Sequence, residues 1–414
     1  QPSDVQTMIV QRPGESEWEE IRRASDGGWT LTIGRSEGAA GPPWPLNPSN
    51  VRGLLGVLRN LTAAGAPPEG NRELRPALSL RIFESDEKET VVTFDERAIG
   101  GRRLVEVDGE TRAFIGQDVF EALAAPGPRG WRESSALPNV LADAARLQIS
   151  AADQQIALRR IGNRWMLASP LAARASGEKV DEVRNAMSSI AIADFLDAGL
   201  PENDVTQLNA PVLALAAEKD NRVVDPAGGE PRVETERREL LIGAAADVSG
   251  ATRYALGRPG NAPLLVRTDS LQRISVDPLD YVELTSTSQI PSSIGAMLIE
   301  PVSGAEFARK RTENGWSALD DAGASADGGV APLLTLLAES PAAGVSFEAP
   351  DGYIEQGRLT LLDLGDEMLE RFAWGVAGDF FVIHNLDEGG AGGVYRLYEQ
   401  AQRPDLLRTP ASAG

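Results

Sequence analysis

The chain has 414 residues, 42 % of them hydrophobic, which is length for about two to four domains and enough apolar material to bury real cores. Forty basic against sixty-one acidic residues leave a formal charge of −21, which repels phosphate backbones and anionic lipid and excludes nucleic acid as an expected partner. The absence of cysteine excludes disulfides, thiolate metal sites, iron–sulfur clusters and cysteine nucleophiles.

No run approaches the ~18 apolar residues that span a bilayer, and the opening QPSDVQTM lacks the basic-then-apolar profile of a signal peptide. The expectation is a cytoplasmic chain, or one whose anchor precedes Gln1. In chain order, EWEEIRRA leads by a turn into DGGWTL around Trp29, followed by a Gly/Pro-rich loop and NPSNVRGLLGVLRNL. There Val51, Leu54, Leu55, Leu58 and Leu61 recur at helical spacing behind a Pro/Ser/Asn start. The period then falls towards 2 through ALSLRIFE, ETVVTFDE, RLVEVDGE and RAFIGQDVFEAL, an antiparallel meander ending in a short helix.

The same order returns twice. QQIALRRI and GNRWML around Trp165 precede a helix carrying Val180, Val183, Met187 and Ile190, with Ser176 as N-cap, and then PVLALAAE, ELLIGAA, TRYALGR and APLLVRTDSL. AEFARKRT and ENGWSAL around Trp316 precede a helix with Val330, Leu333, Leu334 and Leu337 and with Pro332 in its first turn, then GVSFEAP, RLTLLDL, ERFAWGVAGDFFVIHN and GVYRLYEQ. A repeat of about 140 residues is an ordinary domain size. The predicted units are 5–137, 138–285 and 286–405, with APGPRG at the first junction. The predicted class is α+β: three tandem repeats, each an antiparallel sheet with one amphipathic helix packed on a face. Recurrence at one position predicts that Trp29, Trp165 and Trp316 each fill a core. Trp44, inside GPPWPLNP and outside that register, is the predicted exposed contact.

The Trp-led strand, the V-x-x-L-L helix, and L-x-I-G followed by YAL, a turn and P-L-L-V resemble the bacterial family called domain of unknown function 4340. The second unit carries the resemblance through GNRWML, VDEVRNAM, ELLIGAAADVSGATRYALGR and APLLVRTDSLQRI. The first carries it through its Trp29 strand, its helix and RLVEVDGETRAFIGQDVFEAL, and in the third WGVAGDFFVIHN replaces the L-x-I-G strand. The resemblance implies a bacterial envelope protein at the extracytoplasmic face of the cytoplasmic membrane, tethered by an upstream anchor. It also implies partners among ABC-type transporter permeases and auxiliary, gliding-motility-like subunits, and no established reaction.

Candidate chemistry is sparse. The one histidine, His384, lies near Asp387 and Glu388, but one imidazole beside flexible carboxylates lacks a metal site's ligand count, so the reading is a strand end entering a Gly-rich loop. That loop, EGGAGG, resembles phosphate-binding glycines but precedes a strand, whereas phosphate cradles open onto a helix N-terminus. No Walker motif and no G-x-S-x-G occurs. The acids Asp86, Glu87, Glu89, Asp95 and Glu96 read as solvated hairpin turns rather than a glycosidase pair. No catalytic, cofactor or metal residues are therefore expected. The leading expectation is a non-enzymatic scaffold or binding module of a membrane complex, ahead of a ligand- or glycan-binding protein and, last, a hydrolase using paired carboxylates.

Overall fold

The computed structural model describes residues 4–24, 27–37, 40–59, 74–85, 88–124, 127–137, 140–223, 231–258, 260–313, 315–318, 329–389 and 393–408. The first stretch forms β1 (Val5–Gln11), β2 (Glu17–Arg23), β3 (Trp29–Arg35), β4 (Trp44–Pro45), α1 (Pro48–Arg59), β5 (Pro76–Glu84), β6 (Glu89–Ile99), β7 (Arg102–Val107), β8 (Thr111–Gly116) and α2 (Gln117–Leu123). Its sheet runs β4-β3-β2-β1-β5-β6-β7-β8. Next come β9 (Arg146–Ala151), β10 (Gln154–Ile161), β11 (Arg164–Ser169), β12 (Ala173–Arg174), α3 (Gly177–Ser188), β13 (Ile192–Phe195), α4 (Asn203–Thr206), β14 (Leu213–Val223), β15 (Arg232–Ala245), β16 (Thr252–Arg258) and β17 (Ala262–Arg267). This second sheet runs β12-β11-β10-β9-β14-β15-β16-β17-β13. The third comprises β18 (Ile294–Pro301), β19 (Phe307–Thr312), β20 (Gly315–Ala318), α5 (Val330–Ala338), β21 (Gly344–Ser346), β22 (Ile354–Asp363), β23 (Met368–Ala377), β24 (Phe380–Asn385) and β25 (Val394–Glu399), in the order β20-β19-β18-β22-β23-β24-β25-β21.

The α+β expectation is corrected: strand accounts for 50 % and helix for 18 % of the structure, in three large antiparallel sheets with five helices among the described residues. The physical reason is the width of each sheet. One or two helices accompany eight or nine strands, so each core is built mainly from sheet side chains. Six of those strands were not read from the sequence: the short β4, β12 and β13, and three central ones. β1, β9 and β18 each join the tryptophan hairpin to the meander. In the third sheet, ERFAWGVAGDFFVIHN folds back on itself as the β23–β24 hairpin, and GVS forms the edge strand β21 on β25.

The helices arise where their sequence signals place them. Asn47 caps α1, its Oδ1 accepting the Ser49 N–H at 2.9 Å ahead of Pro48 in the first turn. The Ser176 hydroxyl accepts from the Lys179 N–H at 3.4 Å at the start of α3. On α1, Val51 and Leu54 bury into the core formed with Met8, Ile21, Leu31 and Phe94, while Leu55 and Leu58 pack at its margin; Leu61 lies outside the described residues. All four predicted apolar positions of α5 are buried against Phe372, Trp374 and Phe381.

The chain divides into two compact units, residues 1–142, 187–214 and 236–271, and residues 143–186, 215–235 and 272–414. The first holds the whole first sheet with β13, β16 and β17. The second holds the whole third sheet with β9 to β12.

Candidate functional site

The three tryptophans share a register. Trp29 pairs with Arg23, Trp165 with Arg160 and Trp316 with Arg311, each across a hairpin. Trp165 is 8 % and Trp316 9 % exposed, the latter with the Arg311 guanidinium 5.0 Å from its ring centroid. Trp29 is half-buried at the margin of its core.

Following the first meander, the linker 131–137 is tied twice within the first unit. The Glu133 N–H donates to Pro45 O (2.9 Å) and the Asn47 N–H to Trp131 O (2.8 Å). Further along, the Ala136 N–H donates to Ile190 O (3.1 Å) and the Ile192 N–H to Ser134 O (3.0 Å). The linker 281–287 of the second unit repeats this pattern. There the Glu283 N–H donates to Arg174 O (2.9 Å), the Ser176 N–H to Tyr281 O (2.8 Å), the Thr287 N–H to Leu337 O (2.9 Å) and the Ala342 N–H to Leu284 O (3.1 Å). The signal in the sequence is an aromatic-x-Glu triplet, Trp131-Arg132-Glu133 and Tyr281-Val282-Glu283.

The side chains at the two linkers differ. Trp44, expected to be exposed, is 6 % exposed. Its indole N–H donates to Glu133 O at 3.0 Å, its ring meets Phe195 edge-on at 5.5 Å and 73°, and Gly257 lies so close beneath that a Cβ there would fall 2.9 Å from the ring. Partners distant in sequence thus bury a residue whose local Pro-rich context reads as surface. Beside it opens a cavity of about 410 Å³, walled by Leu31, Ile33, Trp44, Phe195, Leu200 and Pro263. At its rim Arg132 grips Asp197 through two bonds of 2.8 Å and lies 4.0 Å over the Phe195 ring. Arg35 donates to Glu17 at 3.0 Å and to the Asp197 carbonyl. Hydrogen bonds from Arg129, then Arg35, hold the Glu17 carboxyl below its ordinary value.

In the second unit the corresponding place holds buried charge. Glu388 lies between Arg174, whose Nε donates to it, and Arg396, whose Nη2 donates at 2.9 Å. Arg174 also donates to the carbonyls of Thr285 and Ser286, both at 2.7 Å, and Arg396 to Glu283 O at 2.9 Å. Ser286 and Tyr398 share a hydroxyl bond of 2.8 Å beneath them. Arg396 is fully buried, and burial pushes its pKa down against the pull of Glu388.

His384 stacks on Tyr395 with centroids 4.1 Å apart, and burial lowers its pKa, with Glu355 opposing. The acids near it in sequence are engaged elsewhere, Asp387 with Arg371 at 2.7 Å and Glu388 as above. Among the described residues no group of three or more His, Asp or Glu is placed to hold a metal ion. Residues 390–392 of the Gly-rich loop, and Asp86 and Glu87, lie outside the described residues. Glu89 pairs with Arg81 at 2.7 Å and Glu96 with Arg75 at 3.5 Å.

Burial pushes the Asp95 carboxyl up, but side-chain and backbone hydrogen bonds from Arg97, with the Arg75 N–H, outweigh it and hold its pKa at about 2. A carboxyl depressed on folding stabilises above its unfolded pKa and loses that contribution as pH falls through the folded one. The stability gap between wild type and Asp95→Asn should therefore narrow from about pH 4 down to pH 2 in urea melts. A gap unchanged across that range would contradict the pairing.

No protein-family model matches the chain, and no curated protein matches it. Among solved structures, it is similar to the DNA polymerase III subunit beta from Pseudomonas aeruginosa at 8 % identity, covering 95 % of this chain and 92 % of that one with a TM-score of 0.18. It is also similar to a DnaN sliding clamp from the same organism bound to griselimycin, at 7 % identity over 95 % and 90 % of the chains, with a TM-score of 0.17.

Proposed function

We propose that the chain is a non-enzymatic scaffold or binding module of a membrane complex, an auxiliary component of an ABC-type transporter at the extracytoplasmic face of the cytoplasmic membrane. The observation that supports a scaffold is the linker design. In each unit the segment leaving one sheet is hydrogen-bonded backward beside the tryptophan hairpin and forward at the end of the next helix. Such double tethering removes the freedom an ordinary interdomain linker keeps. A unit fixed in this way presents large, shape-defined surfaces, which is how assembly proteins bind. The partner class and location rest on the sequence resemblance alone.

Confinement to one membrane raises the effective concentration of partners, so individually weak contacts suffice. The native full-length protein, affinity-purified from its own membranes, is expected to bring down transporter subunits. The chain from Gln1 to Gly414 alone should recover none and show no turnover of glycoside or ester substrates. Recovery of no transporter component with the native protein, or robust turnover by the chain, would overturn the proposal.

A further inference from the structure

We infer that the cavity beside Trp44 is a binding site for an uncharged, ring-bearing small molecule, a property beyond the scaffold reading and independent of it. Its volume of about 410 Å³ lies inside the range of roughly 300–1,000 Å³ typical of ligand pockets. The aromatic wall is preformed. Trp44 is fixed by its hydrogen bond to Glu133 O, by Phe195 edge-on and by Gly257 beneath, so little rotamer freedom remains to be lost when a ring packs beside it.

The charge of the ligand follows from the rim. Both cations are already engaged, Arg132 by the two oxygens of Asp197 and Arg35 by Glu17 and the Asp197 carbonyl. An anion would have to break a bidentate pair, and a cation would compete with Arg132 for Asp197. Either would enter an apolar space uncompensated. A sugar would bring a full set of hydroxyls, and beyond Asn261 and the engaged rim charges the walls of Leu31, Ile33, Leu200 and Pro263 have no side-chain groups to satisfy them. An uncharged ring meets neither penalty.

The second unit shows what closes such a space when the chain does so itself. There the residues between β24 and β25 reach back, with the Gly389 N–H donating to Ala172 O at 2.7 Å and Glu388 seated between Arg174 and Arg396. In the first unit the turn between β16 and β17 is shorter. Among its described residues Gly260 approaches the equivalent segment, a Cβ there lying 3.4 Å from Pro42, and the cavity stays open behind it. The turn length of one hairpin thus separates a filled pocket from an open one.

The test uses the whole 414-residue chain and N-phenyl-1-naphthylamine, a neutral fluorescent probe. One saturable site per chain is expected, displaced by naphthalene and by naphthalene-1-sulfonate about tenfold less well. Leu200→Trp, which fills the cavity, should abolish saturable binding with the far-ultraviolet circular dichroism unchanged. In crystals grown with 1-bromonaphthalene, the bromine signal should lie beside Trp44 and Phe195, a result independent of whether the variant folds. No saturable binding, equal competition by the sulfonate, undiminished binding by a folded Leu200→Trp chain, or bromine located elsewhere would each overturn the assignment.

Discussion

Replacing Glu388 by alanine is expected to destabilise the second unit by about 3–5 kcal/mol, the range for breaking a buried ion pair from one side. The carboxylate serves two guanidinium groups at once. Its loss leaves Arg396, fully buried, facing Arg174 with no counter-charge, in a region where burial already drives the Arg396 pKa down. Removing the other side has a smaller consequence. Arg396→Met takes away the most deeply buried charge and a guanidinium nitrogen, Nη1, that has no hydrogen-bond partner in the structure, while Glu388 keeps Arg174. That variant is expected to lose less than half as much. Urea unfolding of both variants checks the pair, and equal losses would show that the shared Glu388 carboxylate is not what holds the two guanidinium groups together.

Trp374→Ala is expected to cost about 3–5 kcal/mol by opening a cavity in the third sheet's core. Trp374 is 2 % exposed and rests on Gly357, where a Cβ would lie 2.4 Å from the ring and 2.8 Å from the Glu300 carbonyl oxygen. Gly357→Ala should therefore be severe as well, since the backbone on the far side cannot give way. Trp374→Phe is the contrasting case. The indole N–H is buried without a partner, so the smaller ring loses packing but also removes an unsatisfied donor, and the loss should stay below that of alanine. Thermal and urea melts of the three variants check the order; a phenylalanine variant as unstable as the alanine one would point to an unseen partner for the indole.

Local periodicity carried most of what the sequence disclosed. The helical stripes, the Ser176 cap, the strands of the first two meanders and the common register of Trp29, Trp165 and Trp316 are all properties of neighbouring residues. The balance of helix and strand was misjudged because β1, β9 and β18, each directly upstream of the tryptophan hairpin it pairs with, carry weak or ambiguous patterns. In β9 only Leu147 and Ile149 alternate, and β18 is a nearly continuous apolar run, a pattern that does not distinguish a strand from a buried helix. The candidate site was hidden for a different reason. Arg174 and Glu388 are 214 positions apart, and Trp44 is buried by Phe195 and Gly257, so no window along the chain contains both the residue and what covers it. Glu388 was singled out beside His384, its neighbour in sequence, whereas its partners in space are arginines.

The division of the chain into compact units that do not follow its repeats bears on how it is made. The first unit takes in residues up to Leu271, well beyond the first repeat that ends near residue 137. During synthesis at roughly 5–20 residues per second, the earliest sheet waits on the order of ten seconds for the strands that complete its unit. Over that interval Trp44, which Phe195 and Gly257 later cover, stands open on the nascent chain, a time window in which holdase chaperones have something to bind.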